Sequence, residues 1–439
     1  MGSLDAQIAL LAIAALFFLF GTGVWIGLSM IGVSVAVMWT FAPAKPAGDA
    51  MATTIFSDTS SWTLTALPLF IWMGEVLFRT AISEDMFRGL APWMRRLPGR
   101  LVHTNIIGCS IFAAVSGSSA ATCATIGKMT VPELRRRGYP DDIAIGSLSG
   151  AGTLGLLIPP SLIMIVYGVQ ADVSVAKLFA AGVIPGILLA GLMMAYVAGW
   201  ALLNPSKVPP PDPPMPFAQK LRESGTLIPV LLLILLVLGS IYAGIATATE
   251  SAAFGVVGSF VIAALQRRLN WQTFWDSVMG ATRLTAMILL ILAGASYLKL
   301  AMGFTGLPRH LAETIAAMNL SPAALIVVLA ILYIILGCFL DGISMVVLTI
   351  AIVLPMVEQA GIDKLWFGIF ITVVVEMAQI TPPVGFNLFV LQGMTGKSIF
   401  WIGRVSLPFF IAMSICVVLL YLFPGLVNFL PDLMVSAAR

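Results

Sequence analysis

The stretch Val115-Ser-Gly-Ser-Ser-Ala-Ala-Thr-Cys-Ala-Thr-Ile-Gly-Lys-Met129 sets two glycines, three serines and two threonines in the middle of an apolar region. Hydrocarbon offers no water to polar backbone, so such a segment persists at membrane depth only where it is buried in protein or lines a wet cavity. A second polar island, Gly337-Cys-Phe-Leu-Asp-Gly-Ile-Ser344, interrupts another apolar run 223 residues later. The two islands read as the tips of two re-entrant hairpins that together enclose a transport site.

Composition sets the frame for that reading. Hydrophobic residues make up 59% of the chain and charged residues 10%, with a mean hydropathy of +1.03, whereas a soluble domain carries about 25% charged residues. Apolar segments of roughly 18 to 28 residues recur along nearly the whole length, and a helix needs about 20 to cross the bilayer. The expectation is an all-α integral membrane protein with no soluble module, in contact with membrane lipid. Nothing points to nucleic acid. Cys109, Cys123, Cys338 and Cys416 lie in apolar surroundings without close Cys or His neighbours, so no metal site or disulfide framework is indicated. No cationic region precedes the first apolar stretch, which predicts a first helix retained in the mature protein.

Outward from the first island, the chain divides into two similar parts. Residues 1–203 hold apolar stretches at 4–20 and 24–42, a polar loop with Lys45, Asp49 and Asp58, and a helix near 62–80 with Glu75 and Arg79 as a neutralised pair. A cation-rich surface helix, a hairpin at 101–134, a broken helix at 142–168 and a helix near 177–202 follow. A Pro-rich linker spans 204–224 and reads as extended and cytoplasmic. Residues 225–439 repeat the pattern: apolar 226–243 and 246–266, a long helix near 277–304, a surface segment at 307–319, a hairpin at 322–357, a broken helix at 364–391 and a last helix at 403–430. An offset of 223 carries Pro132 onto Pro355, Pro159-Pro160 onto Pro382-Pro383, Pro185 onto Pro408, Gly138 onto Gly361 and Ser118 onto Asp341.

Charge supplies an independent test of the symmetry. Arg88, Arg95, Arg96, Arg100, Arg135, Arg136 and Arg137 flank the first hairpin, whereas the second has only Arg309 and Lys364 beside Glu313, Glu358 and Asp363. By the positive-inside rule, both ends of the first hairpin are cytoplasmic and the second hairpin opens to the opposite face. The halves are therefore inverted-topology repeats with two re-entrant hairpins and two discontinuous helices, an arrangement that places substrate and ion sites near the bilayer midplane.

The chemistry follows from the four interruptions. At Leu157-Ile158-Pro159-Pro160-Ser161 and at Gln379-Ile380-Thr381-Pro382-Pro383, each proline removes a helical N–H and displaces the carbonyl one turn earlier. Freed carbonyls, the Ser161 and Thr381 hydroxyls and the Gln379 amide form a hard oxygen set that suits sodium. Ser116, Ser118, Ser119 and Thr122 add hydroxyls at the first tip, and the following half-helix directs N–H groups toward a carboxylate. Asp341 supplies a negative charge at the second tip or serves as a helix cap. A Ser/Gly/Thr cluster also serves as a close-packing face and Pro-Pro as a plain kink, but two clusters and two breaks at matched positions favour transport. Glu250 reads as a cap or dipole residue, His103 and His310 as structural, and Glu376 has no assigned role.

The motifs Ser-Gly-Ser-Ser-Ala-Ala-Thr at 116–122, Met-Thr-Val-Pro-Glu-Leu at 129–134, Gly-Leu-Leu-Ile-Pro-Pro-Ser at 155–161 and Gln-Ile-Thr-Pro-Pro-Val-Gly-Phe-Asn at 379–387 resemble the large membrane subunit of tripartite ATP-independent periplasmic (TRAP) transporters, the DctM-like family. The resemblance implies a sodium-driven, elevator-type importer of organic acid anions in the bacterial inner membrane, with a scaffold and a moving transport domain. It also implies two partners, a small four-helix membrane subunit as a separate polypeptide and a soluble periplasmic binding protein. The candidate sodium ligands are Ser116, Gly117, Ser118, Gly152, Pro159, Gly337, Asp341, Gln379, Thr381 and Pro382. The candidate substrate residues are Ser118, Ser119, Thr122, Pro160, Ser161, Gly385 and Asn387.

Other classes fit less well. A stand-alone sodium-coupled dicarboxylate symporter of related elevator fold is the alternative within secondary transport. A channel needs a continuous polar path, which two opposed hairpins interrupt. An intramembrane enzyme needs a nucleophile–base or metal set, and neither His-Glu-x-x-His nor Gly-x-Ser-x-Gly occurs. Sialic acid, C4-dicarboxylates and 2-oxo acids would all meet similar helix ends, so the sequence leaves the substrate open.

Overall fold

A computed structural model of the chain describes residues 3–41, 44–310, 313, 321–383 and 385–437. Among the described residues the regular structure is helical throughout, without strands. Among the described residues, seven helices are long and apolar enough to cross a membrane, or eight if the bent pair Pro46–Thr59 and Trp62–Phe78, with its 59° angle, counts as one span.

The internal repeat is written into the helix boundaries. The second arm of the first hairpin runs Ser119–Arg136 and that of the second runs Gly342–Gln359, so both ends correspond at an offset of 223. The broken helices begin at Asp141 and Lys364, again 223 apart. Their second halves, Leu162–Ala171 and Phe386–Thr395, agree to within one residue at each end. Each broken helix is interrupted at its Pro-Pro pair, and both Pro-Pro bonds are cis. The first arms, His103–Ser116 and Pro322–Leu336, complete the hairpins.

Packing divides the helices into two groups. Ile26–Phe41, Ala44–Thr59, Ala66–Phe78, Ile228–Tyr242 and Ala248–Leu265 gather around the 35-residue helix Trp271–Thr305 or around one another. The hairpins and broken helices pack mainly together, with Val175–Leu203, Ile399–Leu422 and Gly425–Ala437 around them. Between the groups, Phe70 meets Phe179 edge to face at 6.0 Å, and the Tyr242 hydroxyl donates to the Phe179 carbonyl at 3.3 Å. Gly74 brings the helix Ala66–Phe78 against the end of the first hairpin arm, where an added Cβ would stand 3.3 Å from the Ser116 carbonyl oxygen.

The arginine-rich end of the first hairpin holds the Pro-rich linker. Arg137 pairs with Asp212 and with Glu133, Arg100 donates to the Pro209 carbonyl, and Arg95 donates to the Asp212 carbonyl at 2.7 Å. Residues Phe217–Ser224, at the end of the linker, are helical and pack on the surface helix Ile82–Met94, where Arg88 pairs with Glu223.

Several expected elements take a different form. The polar loop with Asp49 and Asp58 is part of a helix, Ala44–Thr59; its Thr53 and Thr59 hydroxyls return to the Asp49 and Ile55 carbonyls one turn back, which satisfies them within the helix. The long helix begins six residues earlier than expected, at Trp271, because Asn270 caps it by accepting from the Thr273 N–H at 2.8 Å. The last apolar run forms two helices, Ile399–Leu422 and Gly425–Ala437; they part at Phe423-Pro424, where proline lacks the N–H to continue the ladder. The 307–319 surface segment lies mostly outside the described residues. Glu75 does pair with Arg79, and Glu250 closes a capping box with Thr247.

Candidate functional site

All four interruptions converge on one cavity of about 290 Å³. Its wall takes Gly117, Ser118, Ser119 and Ala120 from the first hairpin tip and Asp341, Gly342 and Ile343 from the second. Leu156, Leu162 and Ile163 come from the first broken helix, Gln379 and Phe386 from the second, and Leu284 and Met287 from the long helix of the other packing group. Ser119, Gly342, Leu162 and Phe386 are the first residues of four different helices. Four helix N-termini, with their partial positive charge, therefore meet around one space.

The two tips cap their helices differently. Ser118 has extended backbone and its hydroxyl accepts from the Ala121 N–H at 3.5 Å. Asp341 accepts from the Ile343 and Ser344 N–H groups at 3.1 and 3.2 Å, and the Ser344 hydroxyl donates to its other carboxylate oxygen. Asp341 is thus a helix cap as well as a cavity-lining carboxylate.

Each tip touches both broken helices. The Leu162 N–H reaches the Gly117 carbonyl at 3.4 Å. Gly117 has φ +62° and faces the Pro160 carbonyl oxygen, which would stand 2.9 Å from an added Cβ; an L-residue would meet both a left-handed backbone and that clash. Across the repeat, the Ser119 hydroxyl donates to Asn387 Oδ1 at 2.7 Å. Asn387 is fully buried, and its Nδ2 donor has no hydrogen-bond partner. In the second tip, the Cys338 thiol reaches the Pro382 carbonyl at 3.5 Å, while Gly342 sits against Val375 and Ile163.

Five of the residues singled out from sequence, Gly117, Ser118, Ser119, Asp341 and Gln379, line the cavity together. The others stand behind it or beside it. Ser116 and Thr122 share a hydrogen bond at 2.6 Å. Ser161 is fully buried and caps its helix through the Met164 N–H at 3.3 Å. The Thr381 hydroxyl donates to the Met377 carbonyl at 2.7 Å, which leaves its lone pairs open. Pro159 and Pro160 form the first break and Pro382 the second. Gly385 approaches the Gln379 and Thr381 carbonyl oxygens, Gly152 packs on Cys123, and Gly337 packs on Ala378. Sequence reasoning did not single out Leu284, Met287, Ile163 or Phe386, because an apolar residue on an apolar helix carries no sign of facing a cavity rather than lipid.

Comparison with known proteins agrees with this architecture. Residues 13–426 match the family model described as tripartite ATP-independent periplasmic transporter, DctM component. The chain is 31% identical over 383 residues to the C4-dicarboxylate TRAP transporter large permease protein DctM of Pseudomonas aeruginosa, covering 87% of this chain and 89% of that protein. It is 31% identical over 410 residues to the isethionate TRAP transporter permease protein DctMQ of Oleidesulfovibrio alaskensis, covering 92% of this chain but 63% of that protein. Among solved structures, the YdaH transporter of Alcanivorax borkumensis shares the fold with a TM-score of 0.59 at 14% identity, over 86% of this chain and 87% of that one.

Proposed function

Because this chain belongs to the DctM family of TRAP transporter large permeases and is a multi-pass protein of the inner membrane, we propose that it carries a small organic acid anion inward, driven by a sodium gradient, through the cavity between its hairpin tips. The observation that carries this reading is the convergence of four helix N-termini on one cavity that also holds Asp341. Helix N-termini favour an anionic ligand, and the open Asn387 Nδ2 behind the Ser119 hydroxyl is a further donor for it. The Asp341 carboxylate would repel a substrate anion unless a cation shared the site, and the carbonyls and hydroxyls at the two breaks are hard oxygen ligands of the kind sodium takes. The related DctM and DctMQ proteins are named for a dicarboxylate and a sulfonate. We take the substrate class here to be small carboxylates or sulfonates.

The working assembly on this reading adds a small membrane subunit and a periplasmic binding protein. The hairpins and broken helices move as one body against the frame around Trp271–Thr305, as one bundle moves against the other in inverted-repeat transporters. The separation of the helices into two packing groups supports that motion. Proteoliposome uptake tests the proposal, with succinate, sialic acid, 2-oxoglutarate and isethionate as labelled probes and a cognate binding protein outside. The expected result is saturable uptake of at least one probe that collapses when the sodium gradient is dissipated. Uptake indifferent to sodium would overturn the coupling, and a large passive current would mark a channel.

A further inference from the structure

Lys299 lies near the end of the long frame helix Trp271–Thr305. The other end, with Trp271 and Trp275, follows Arg267 and Arg268, which the positive-inside rule places in the cytoplasm. From Trp275 to Lys299 is about 36 Å of helix, against a hydrocarbon core of about 30 Å. Lys299 therefore stands at headgroup level on the opposite face. Its side chain is exposed, and among the described residues it forms no ion pair.

Two cavities share this lysine. The first, a groove of about 530 Å³, is lined by Thr54 and Asp58 of the helix Ala44–Thr59 and by Ser296, Lys299 and Phe304. Ser296 is 1% exposed, and its hydroxyl, in the wall of the groove, has no hydrogen-bond partner. Asp58 faces the same groove, yet no ion pair joins it to Lys299 or to any other described residue. The second cavity, of about 250 Å³, lies between the frame and the carrier. Phe17 and Phe20 of Ser3–Gly21, Leu298 and Met302 of the long helix, and Leu336 and Ile352 of the second hairpin form its walls with Lys299. Its other polar side chain, Thr349, is already bonded to the Tyr333 hydroxyl and to the Met345 carbonyl.

The charges select the occupant. A small anion in the groove would meet Asp58 and a small cation would meet Lys299, whereas a ligand that carries both charges satisfies both side chains. A phosphate beside Lys299, with the Ser296 hydroxyl as a further donor, and an ammonium beside Asp58 are the two ends of a phosphoethanolamine headgroup. The apolar cavity at the same lysine is the place for an acyl chain. The transport cavity is a different space, because Leu284 in its wall lies about 22 Å down the helix from Lys299. We propose that the two cavities together hold one phosphatidylethanolamine molecule, with its headgroup in the groove and a chain between the frame and the second hairpin. The lipid is then a structural part of the boundary between the two packing groups, and its binding does not depend on sodium.

Native mass spectrometry of the purified permease tests this with phosphatidylethanolamine, phosphatidylcholine and phosphatidylglycerol as probes. Choline has no N–H to give Asp58, and glycerol carries no cation. The expected result is one phosphatidylethanolamine on the wild type, held about tenfold more tightly than either of the others, as one charge-assisted hydrogen bond provides. Asp58→Asn should abolish the preference over phosphatidylglycerol, and Lys299→Gln should lose all three lipids. If Lys299→Gln does not fold, the lipid preferences of the wild type and of Asp58→Asn decide. Equal retention of the three lipids by the wild type overturns the proposal, as does a folded Asp58→Asn that keeps the preference. Thermal stabilisation by water-soluble phosphoethanolamine as large as that by the lipid would overturn the role of the acyl chain. Loss of the lipid when the small membrane subunit is co-purified would assign this face to that subunit and overturn the proposal as well.

Discussion

The two hairpins share a backbone plan and differ in what their tips carry. Their second arms match residue for residue at an offset of 223, yet the cap at the first tip is the neutral Ser118 and at the second the carboxylate Asp341. One long-paired hydroxyl caps the first helix, whereas two backbone N–H groups and the Ser344 hydroxyl converge on Asp341. The lesson is that duplication supplies the cavity and substitution at equivalent positions supplies its polarity.

Replacing Asp341 by Asn makes the tips alike in charge and has the largest expected effect. It keeps the shape but removes the carboxylate from the cavity, and a hydrogen-bonded charge contributes about 1.5–3 kcal/mol. The sodium concentration for half-maximal uptake should rise roughly 10- to 100-fold; an unchanged sodium profile would return Asp341 to the role of a plain cap. Gly117→Val attacks the first tip through its backbone. The left-handed conformation costs an L-residue about 1–2 kcal/mol, and the Pro160 carbonyl blocks the side chain, so uptake should fall about tenfold. Normal uptake would mean that the tip reshapes without consequence.

The hairpins, both breaks and their offset are legible in sequence because glycine, serine and proline interrupt long apolar runs where nothing else explains them. The seven arginines around the first hairpin are legible for the same reason, since charge is scarce in this chain. The helix Ala44–Thr59 is hidden because its threonines and aspartates resemble a loop until their hydroxyls are seen to bond one turn back. The Ser119–Asn387 bond joins residues 268 apart, and no spacing rule reaches that far.

Smaller effects sharpen the contrast. Ser118→Ala removes a hydroxyl that caps its helix only at 3.5 Å; with a cap contributing ~1 kcal/mol at most, half-activation by sodium should shift by about threefold or less. A shift as large as that of Asp341→Asn would show that the tips carry equal weight. Thr247→Ala breaks the capping box in the frame, where Thr247 and Glu250 serve each other. It should lower the melting temperature by a few degrees, for about 1 kcal/mol, and leave sodium activation where it was. A change in sodium activation from this site would erase the distinction between frame and carrier.

The account turns on the cavity travelling with the hairpins and broken helices while the frame stays still. Phe70 on Ala66–Phe78 and Phe179 on Val175–Leu203, the helix packed around the hairpins and broken helices, meet at 6.0 Å across the boundary between the two packing groups, so a bifunctional thiol reagent joining Phe70→Cys to Phe179→Cys locks one group to the other away from either tip. With the crosslink verified, the account predicts that uptake is abolished while sodium-induced thermal stabilisation persists, and that uptake recovers when a cleavable linker is cut. Uptake at the uncrosslinked rate through a verified crosslink would contradict a moving carrier.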